Sequence, residues 1–364
     1  MGAANVATTA DRRWLVRIPE VYAALAPQVL GALYTGRATP LSGSCYIIQI
    51  SGAEVLRTDP AGIFVSWNLP LDHTWPCCPQ DMEGFVEKAA QALLRKFGGS
   101  NVQTVLAGAL DPASPNRYYR TLASNLRGRV LQLFPGLSCR DAEEQDASRP
   151  TLFCLVGKEG LFCGVSTPAA ANGVHPGGMK FIRHGGDGSI SRAGAKIAGA
   201  LHYLKLLPHS LPAGSRWLEI GASPGGMTAE LLDRGFAVTA VDRAPLDARL
   251  RGRPGLEFVQ TDAAAFAPLR GREFRALLSD LNGPAHDSMA AVLRLSRHLE
   301  PGSPVVFTLK TPGAETFEAI VELFNSVRSM AGIGGLTLQA ATHLPYNRHE
   351  FTLFFQKSGH SGKR

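Results

Sequence analysis

The six cysteines, at positions 45, 77, 78, 139, 154 and 163, form no C-x-x-C pair and stand near no histidine at zinc-ligand spacing. A zinc module is thereby excluded, no metal is expected, and reduced structural thiols are the reading. No apolar run reaches the roughly 18 residues that a bilayer span requires. The opening MGAANVATTADRR has no hydrophobic signal region and no Ser or Thr at its sixth position for myristoylation. These absences lead to the expectation of a cytoplasmic protein with no membrane partner. No internal repeat is present, and 45% hydrophobic with 18% charged residues excludes a disordered or fibrous chain. At 364 residues about two domains are expected.

The formal charge of +7 permits a polyanionic partner without demanding one, and nearly all of the excess lies after residue 170. Lys180, Arg183, His184, Arg192, Lys196 and Lys205 crowd one short segment, which reads either as a solvated helix face or as a phosphate-contacting rim.

Directly after that segment comes WLEIGASPGGMT, Trp217 to Thr228, an apolar strand that enters a small-residue turn and then a helix. Gly221, Gly225 and Gly226 allow a sharp turn and a close ligand approach, and the first N–H groups of the following helix can face that ligand. The spacing G-x-x-x-G-G differs from the dinucleotide fingerprint, whose second glycine makes room for a pyrophosphate; Ser223 and Pro224 stand there instead. The strand FAVTAVDR then ends in Asp242, about twenty residues after Gly221, where a carboxylate can accept from both ribose hydroxyls of NAD or of S-adenosylmethionine (SAM). LEFVQTD ends in Asp262 and RALLSD in Asp280. Three successive strands thus bring a carboxylate to the carboxyl edge of a sheet, where ligands of open α/β folds bind.

From about residue 212 the pattern alternates strand and helix: WLEIG, a helix, AVTAVD, LEFVQTD, RALLSDL, a helix, SPVVFTLK, a helix from Ala314 to about Met330, TLQAATHLPY and EFTLFFQK. This predicts a mostly parallel sheet covered by helices, with the last two strands paired antiparallel. The first half has another texture. Strands WLVRI, CYIIQI, GIFVSW and VQTVLAG, helices near Asp81–Phe97 and Arg117–Phe134, and the hairpin TLFCLVGKEGLFCGVST with Gly160 in its turn read as an α+β module. The expected division is 1–100, an N-terminal α+β region; 101–170, a second module; 171–211, a linker and entry helix; 212–357, the α/β domain; and 358–364, a tail. Tyr118 and Tyr119, between Arg117 and Arg120, read as base-stacking aromatics or as core.

Four charges stand at telling places: Lys196 in SRAGAKIAGALHYL, Asp280, Lys310 ending VVFTLK, and Glu350 opening EFTLFF. Methyl transfer to an alcohol needs removal of a proton from a weak acid and stabilisation of the resulting oxyanion. A lysine amine among carboxylates can provide both, with Asp280 and Glu350 expected to hold Lys310, and Lys196 adding positive potential.

This order of lysine, G-x-x-P-G-G turn, strand-end aspartate, strand-end lysine and strand-opening glutamate resembles the Lys-Asp-Lys-Glu tetrad of the FtsJ-like ribose 2′-O-methyltransferases. The likeness is greatest to their large-subunit rRNA branch, the RlmM family. There, LGACPGGWT is similar to IGASPGGMT here, SRSTLKL to SRAGAKI, VDNGPM to VDRAPL, and HDREEVTVH to NRHEFTLFF. The resemblance covers the chain from about residue 100 and the first hundred residues only by plan. It departs at Ser223, Met227 and the residues 193–195. It implies a Rossmann-like SAM-dependent methyltransferase domain preceded by a THUMP-like RNA-binding region. It also implies that Gly221, Ser223, Pro224, Gly225, Gly226, Met227, Asp242, Asp262 and Asp280 contact SAM, with Asp262 near the adenine amine and Lys310 as base. The expected substrate is a cytidine ribose of large-subunit rRNA, and the expected partner is RNA, met by a monomer. The sequence leaves open another RNA, a small-molecule hydroxyl, a nicotinamide-dependent oxidoreductase on the same kind of fold, or a non-catalytic RNA-binding factor.

Overall fold

The computed structural model describes residues 12–34, 36–134, 136–178, 189–208 and 211–359. The basic residues Lys180, Arg183 and His184 lie outside that set. The chain divides into two compact units, 1–179 and 180–364. Among the described residues no helix is long and apolar enough to cross a membrane.

Among its described residues the first unit holds two four-stranded sheets. One is built from β1 (Arg12–Arg17), β2 (Thr39–Leu41), β3 (Cys45–Ile50) and β4 (Trp67–Pro70), in the order β2-β3-β1-β4, with helices α1 (Ala26–Leu33) and α2 (Ala53–Thr58) in its connections. The other contains β5 (His73–Pro76), β6 (Val105–Ala109), β7 (Thr151–Gly157) and β8 (Gly160–Ser166), in the order β5-β8-β7-β6. Helices α3 (Met82–Phe97) and α4 (Tyr118–Leu133) pack on it, and the short α5 (Pro168–Ala171) follows β8. The expected hairpin is present, with Gly157 opposite Gly160. Sheet membership changes between β4 and β5, so α3, although it precedes residue 100, belongs with the later strands. Leu15 and Trp67 of the first sheet and Phe153 and Phe162 of the second share one buried cluster, which makes the two sheets parts of one core.

The expected strand GIFVSW does not form as such. Pro60–Phe64 make a 3₁₀ turn, opened by Asp59, whose side chain accepts from the Ala61 N–H at 2.8 Å, and the strand starts only at Trp67. An Asp cap followed by Pro at the first helical position is a stronger local instruction than the β preference of Ile63 and Val65. Tyr118 and Tyr119 lean on the hydrophobic core beneath α4 and meet edge to face at 5.2 Å between ring centres, so they are packing residues rather than free stacking faces.

The second unit contains α6 (Ala193–Leu204), β9 (Arg216–Ile220), α7 (Gly226–Asp233), β10 (Ala237–Asp242), β11 (Leu256–Gln260), β12 (Ala276–Ser279), α8 (Ala285–Leu295), β13 (Pro304–Lys310), α9 (Phe317–Ile333), β14 (Leu336–Thr342) and β15 (Glu350–Lys357). Its sheet runs β11-β10-β9-β12-β13-β15-β14. Pairing is parallel from β11 through β13, and β15 is antiparallel to both β13 and β14. The mixed sheet and antiparallel last pair are as expected from the alternation. Within that terminal pair β14 takes the edge and β15 lies between β13 and β14. Its run EFTLFF is buried throughout, which suits a central strand covered on both faces. The last helix begins three residues later than expected, because Thr316 caps it by accepting from the Ala319 N–H at 3.2 Å.

Sheet order reverses beside β9. Strands β10 and β12 lie on opposite sides of it, and the connection after β9 opens a crevice at the carboxyl ends, where this class of fold binds ligands.

Candidate active site

β9 leads into its turn through Gly221, whose φ of +81° is in the left-handed region. A Cβ there would stand 2.8 Å from the backbone of Asp280 and Leu281. Gly225, at φ +106°, would drive a Cβ to 2.3 Å from Leu250, and one on Gly226 would meet the Ser191 hydroxyl at 2.1 Å. The protein's own packing thus already requires Gly221, whose Cβ would meet backbone, and the φ of Gly225 favours glycine there as well.

The turn fixes Asp242 instead. The Ser223 N–H donates to Asp242 Oδ2 at 2.9 Å and the Ala244 N–H to Oδ1 at 2.8 Å, while Ser223 Oγ donates to the Pro245 carbonyl. Each carboxylate oxygen keeps a further lone pair for a ligand. Asp262 is looser and half exposed, accepting from the Ala264 N–H at 2.8 Å and lying 3.7 Å from Arg243. The segment behind it is held by Arg294, which donates to the carbonyls of Ala263 and Phe266.

A cleft of about 370 Å³ runs along this edge. Gly221, Ser223, Asp242, Asp262, Asp280 and Lys310 line it. Of the other residues expected at the cofactor, Pro224 is exposed, Gly225, Gly226 and Met227 are buried, and none of the four lines the cleft. Arg243, Asn282, Asp287 and Ser288 do line it and were not anticipated.

At one end of the cleft the four charges assemble. Lys310 Nζ is 3.2 Å from Asp280 Oδ1, and Lys196 Nζ is 3.7 Å from Asp280 Oδ2 and 2.5 Å from Glu350 Oε1. Asp280 therefore bridges the two lysines. Glu350 is Lys310's cross-strand register partner, but its side chain takes Lys196; the expected Glu350 support of Lys310 is corrected to Glu350 support of Lys196. The reason is that α6 brings its own ammonium to the carboxylate. Lys310 also donates to the Asp280 carbonyl at 3.2 Å and to Asn282 Oδ1 at 2.6 Å. All four tetrad side chains are largely buried, with exposures between 10% and 22%, so their mutual attraction is screened less than at the surface.

Beneath the turn is a residue that the sequence reading passed over. Glu219 is fully buried in β9, accepts from the Thr228 hydroxyl at 2.7 Å, and has its carboxyl pushed up to about 8 by burial, reinforced by the charges of Asp280 and Asp242. An acid inside the apolar run WLEIG was the signal available.

Residues 189–308 match the family model of FtsJ-like methyltransferases. The chain is 30% identical over 167 residues to a protein named ribosomal RNA large subunit methyltransferase M from Halorhodospira halophila, covering 46% of this chain and 47% of that one. It is 28% identical over 228 residues to the protein of the same name from Laribacter hongkongensis, covering 60% and 62%. The chain spans about half the length of the first curated relatives it matches. A fibrillarin pre-rRNA processing protein of Methanococcus jannaschii shares 13% identity over 59% of this chain and 86% of that one at a TM-score of 0.38, too loose a likeness to carry weight. The segment that is similar to the FtsJ-like methyltransferase model, residues 189–308, includes the turn, the three strand-end aspartates and Lys196.

Proposed function

We propose that this chain is a SAM-dependent RNA ribose 2′-O-methyltransferase whose substrate is a cytidine of large-subunit rRNA. The observation that carries the reading is the position of Lys310: it lines the same cleft as Asp242 and Asp262 while standing in the ion-pair cluster with Asp280. A cofactor along the strand ends would therefore present its reactive group to a lysine.

The charge of the cleft favours SAM over a nicotinamide dinucleotide. Asp242, Asp262, Asp280 and Asp287 face only Arg243 and Lys310 among the lining residues. That balance repels a pyrophosphate and suits a ligand bearing a sulfonium and an ammonium. Asp242, with both oxygens already oriented by backbone N–H groups, would take the ribose hydroxyls, and Asp262 would lie near the adenine amine. SAM supplies a methyl group on a positively charged sulfur, which departs as a neutral thioether.

The chain's residues do the rest. The 2′-hydroxyl O–H bond breaks, its proton passes to the Lys310 amine, and the oxygen pair so freed forms the new bond to the methyl carbon. Lys196, held by Glu350 and Asp280, places positive charge beside the developing oxyanion. Asp280, between both lysines, keeps them in one geometry. The names of the relatives supply the large-subunit rRNA in this reading, and the first unit, with the THUMP-like module expected over 101–170, would present that RNA.

The test is transfer of labelled methyl from SAM to rRNA, with 2′-O-methyl positions mapped in cells with and without the gene. Lys310→Ala should lower turnover by about 10²–10⁴, the usual worth of a positioned base, while leaving SAM affinity within a few-fold. Because an ammonium cannot accept a proton, wild-type turnover should rise with pH. Retained turnover in the variant would sink the assignment of the base; loss of no ribose mark would sink the rRNA substrate.

A further inference from the structure

Lys310 Nζ donates to the Asp280 carbonyl at 3.2 Å and to Asn282 Oδ1 at 2.6 Å, and it stands in ion-pair contact with Asp280 Oδ1, also at 3.2 Å. Three oxygens thus surround the charged form, two as hydrogen-bond acceptors and Asp280 Oδ1 as a counter-charge. A neutral amine has two hydrogens and a lone pair, and one of the three oxygens must then face that lone pair. Asp280 supplies two of the contacts through one residue at the end of β12, and its carboxylate is tied to Lys196 as well. The contact that can yield is Asn282, whose side chain is exposed in the loop between β12 and α8 and is fixed by no second strand. Its amide oxygen, rather than its nitrogen, must face Lys310, since the reverse would set donor against donor.

We propose that Asn282 is a positioning residue for methyl transfer: its amide oxygen holds the Lys310 ammonium between turnovers and gives up its place when the neutral amine turns its lone pair to the ribose hydroxyl. This rests on the reading of Lys310 as proton acceptor. No covalent step is added; the amide exchanges one hydrogen-bond partner for water or substrate. The other charges around Lys310 among the described residues are Asp280 directly after β12, Lys196 from α6 across that carboxylate, Glu350 from β15 opposite it in register, and Asp242, Arg243, Asp262 and Asp287 farther along the cleft. All of these stay in place when Asn282 is changed, so a shift on substitution reports the amide itself.

The experiment follows the Lys310 amine directly. Full-length wild type, Asn282→Ala and Asn282→Asp are pulsed with acetic anhydride, which labels only neutral amines, between pH 6 and 11, and labelling of Lys310 is read by mass spectrometry. Single-turnover methyl transfer is measured over the same range. Removing the amide oxygen should move the Lys310 labelling midpoint down, and replacing it by a carboxylate should move it up by about a unit or more. The rising limb of the pH–rate profile should move in the same two directions. A merely structural role would lower the rate at every pH in both variants without opposed shifts, and midpoints that stay put or move together overturn the proposal. Opposed labelling shifts combined with full turnover in Lys310→Ala would leave the Asn282 contact standing and remove Lys310 as the base, so the two failures are distinguishable.

Discussion

The two ends of the cleft are built from different materials. At the Asp242 end, main-chain groups do the positioning: two backbone N–H donors orient the carboxylate, and glycines let β9, the turn and the β12 end close on one another. At the Lys310 end, side chains from α6, β12, β13 and β15 hold each other by charge. A backbone-built end depends on the fold being correct and is insensitive to most side-chain changes nearby. A charge-built end can be altered one group at a time. Binding and chemistry should therefore separate under mutation.

The sharpest way to break that separation is Gly221→Ala. The substitution forces an L side chain to φ +81° and puts its Cβ against the backbone of Asp280, which belongs to both ends. A loss of at least about 2 kcal/mol of unfolding free energy is expected, with cofactor binding and turnover both falling; chemical denaturation and SAM titration check it. Unchanged binding would mean that the turn tolerates a shift that its packing forbids.

Asp242→Ala sharpens the contrast from the binding side. Losing charge-assisted bonds should weaken SAM about 10–100-fold and leave turnover at saturating SAM within a few-fold of wild type. A large fall in saturated turnover would show that the ends are not independent.

Glu219→Gln should affect turnover least and tests what lies between the ends. The folded-state carboxyl is raised to about 8 from an ordinary value of 4.5. The folded state thus retains a proton that the unfolded chain has lost, and wild-type stability, at its full value below about pH 4.5, declines as pH rises to about 8. The slope is at most about 1.4 kcal/mol per pH unit. Gln cannot ionise, so denaturation midpoints of the variant should gain on wild type across that window. Parallel curves would show that Glu219 ionises in the fold as readily as in water.

Much of the second unit could be read from periodicity. Runs such as VVFTLK and EFTLFF are apolar on both faces, the mark of strands in a covered sheet, and the ends of AVTAVD, LLSD and VVFTLK and the start of EFTLFF were marked by charged residues. This is why Asp242, Asp280, Lys310 and Glu350 could be placed on one rim without coordinates. What could not be read was partnership. That Glu350 meets Lys196 depends on how α6 lies over the sheet, and no local pattern encodes that packing. Asn282 had no signal at all, being an ordinary loop residue until the lysine is seen beside it. Glu219 did have one, since a carboxyl in the middle of an apolar strand must be neutralised or paired. In the first unit the Asp59–Pro60 cap overrode a β-branched run, a case in which turn chemistry outweighed composition.

The insertion of β15 between β13 and β14 also orders the site in time. As the chain is synthesised, β13 and β14 both emerge before the strand that separates them, and Glu350 is the last of the four charged residues to appear. Until β15 enters that slot, Lys196 lacks its nearest carboxylate and Lys310 its opposite neighbour. In chain order, therefore, every residue that lines the cleft precedes the strand that completes the ion-pair cluster.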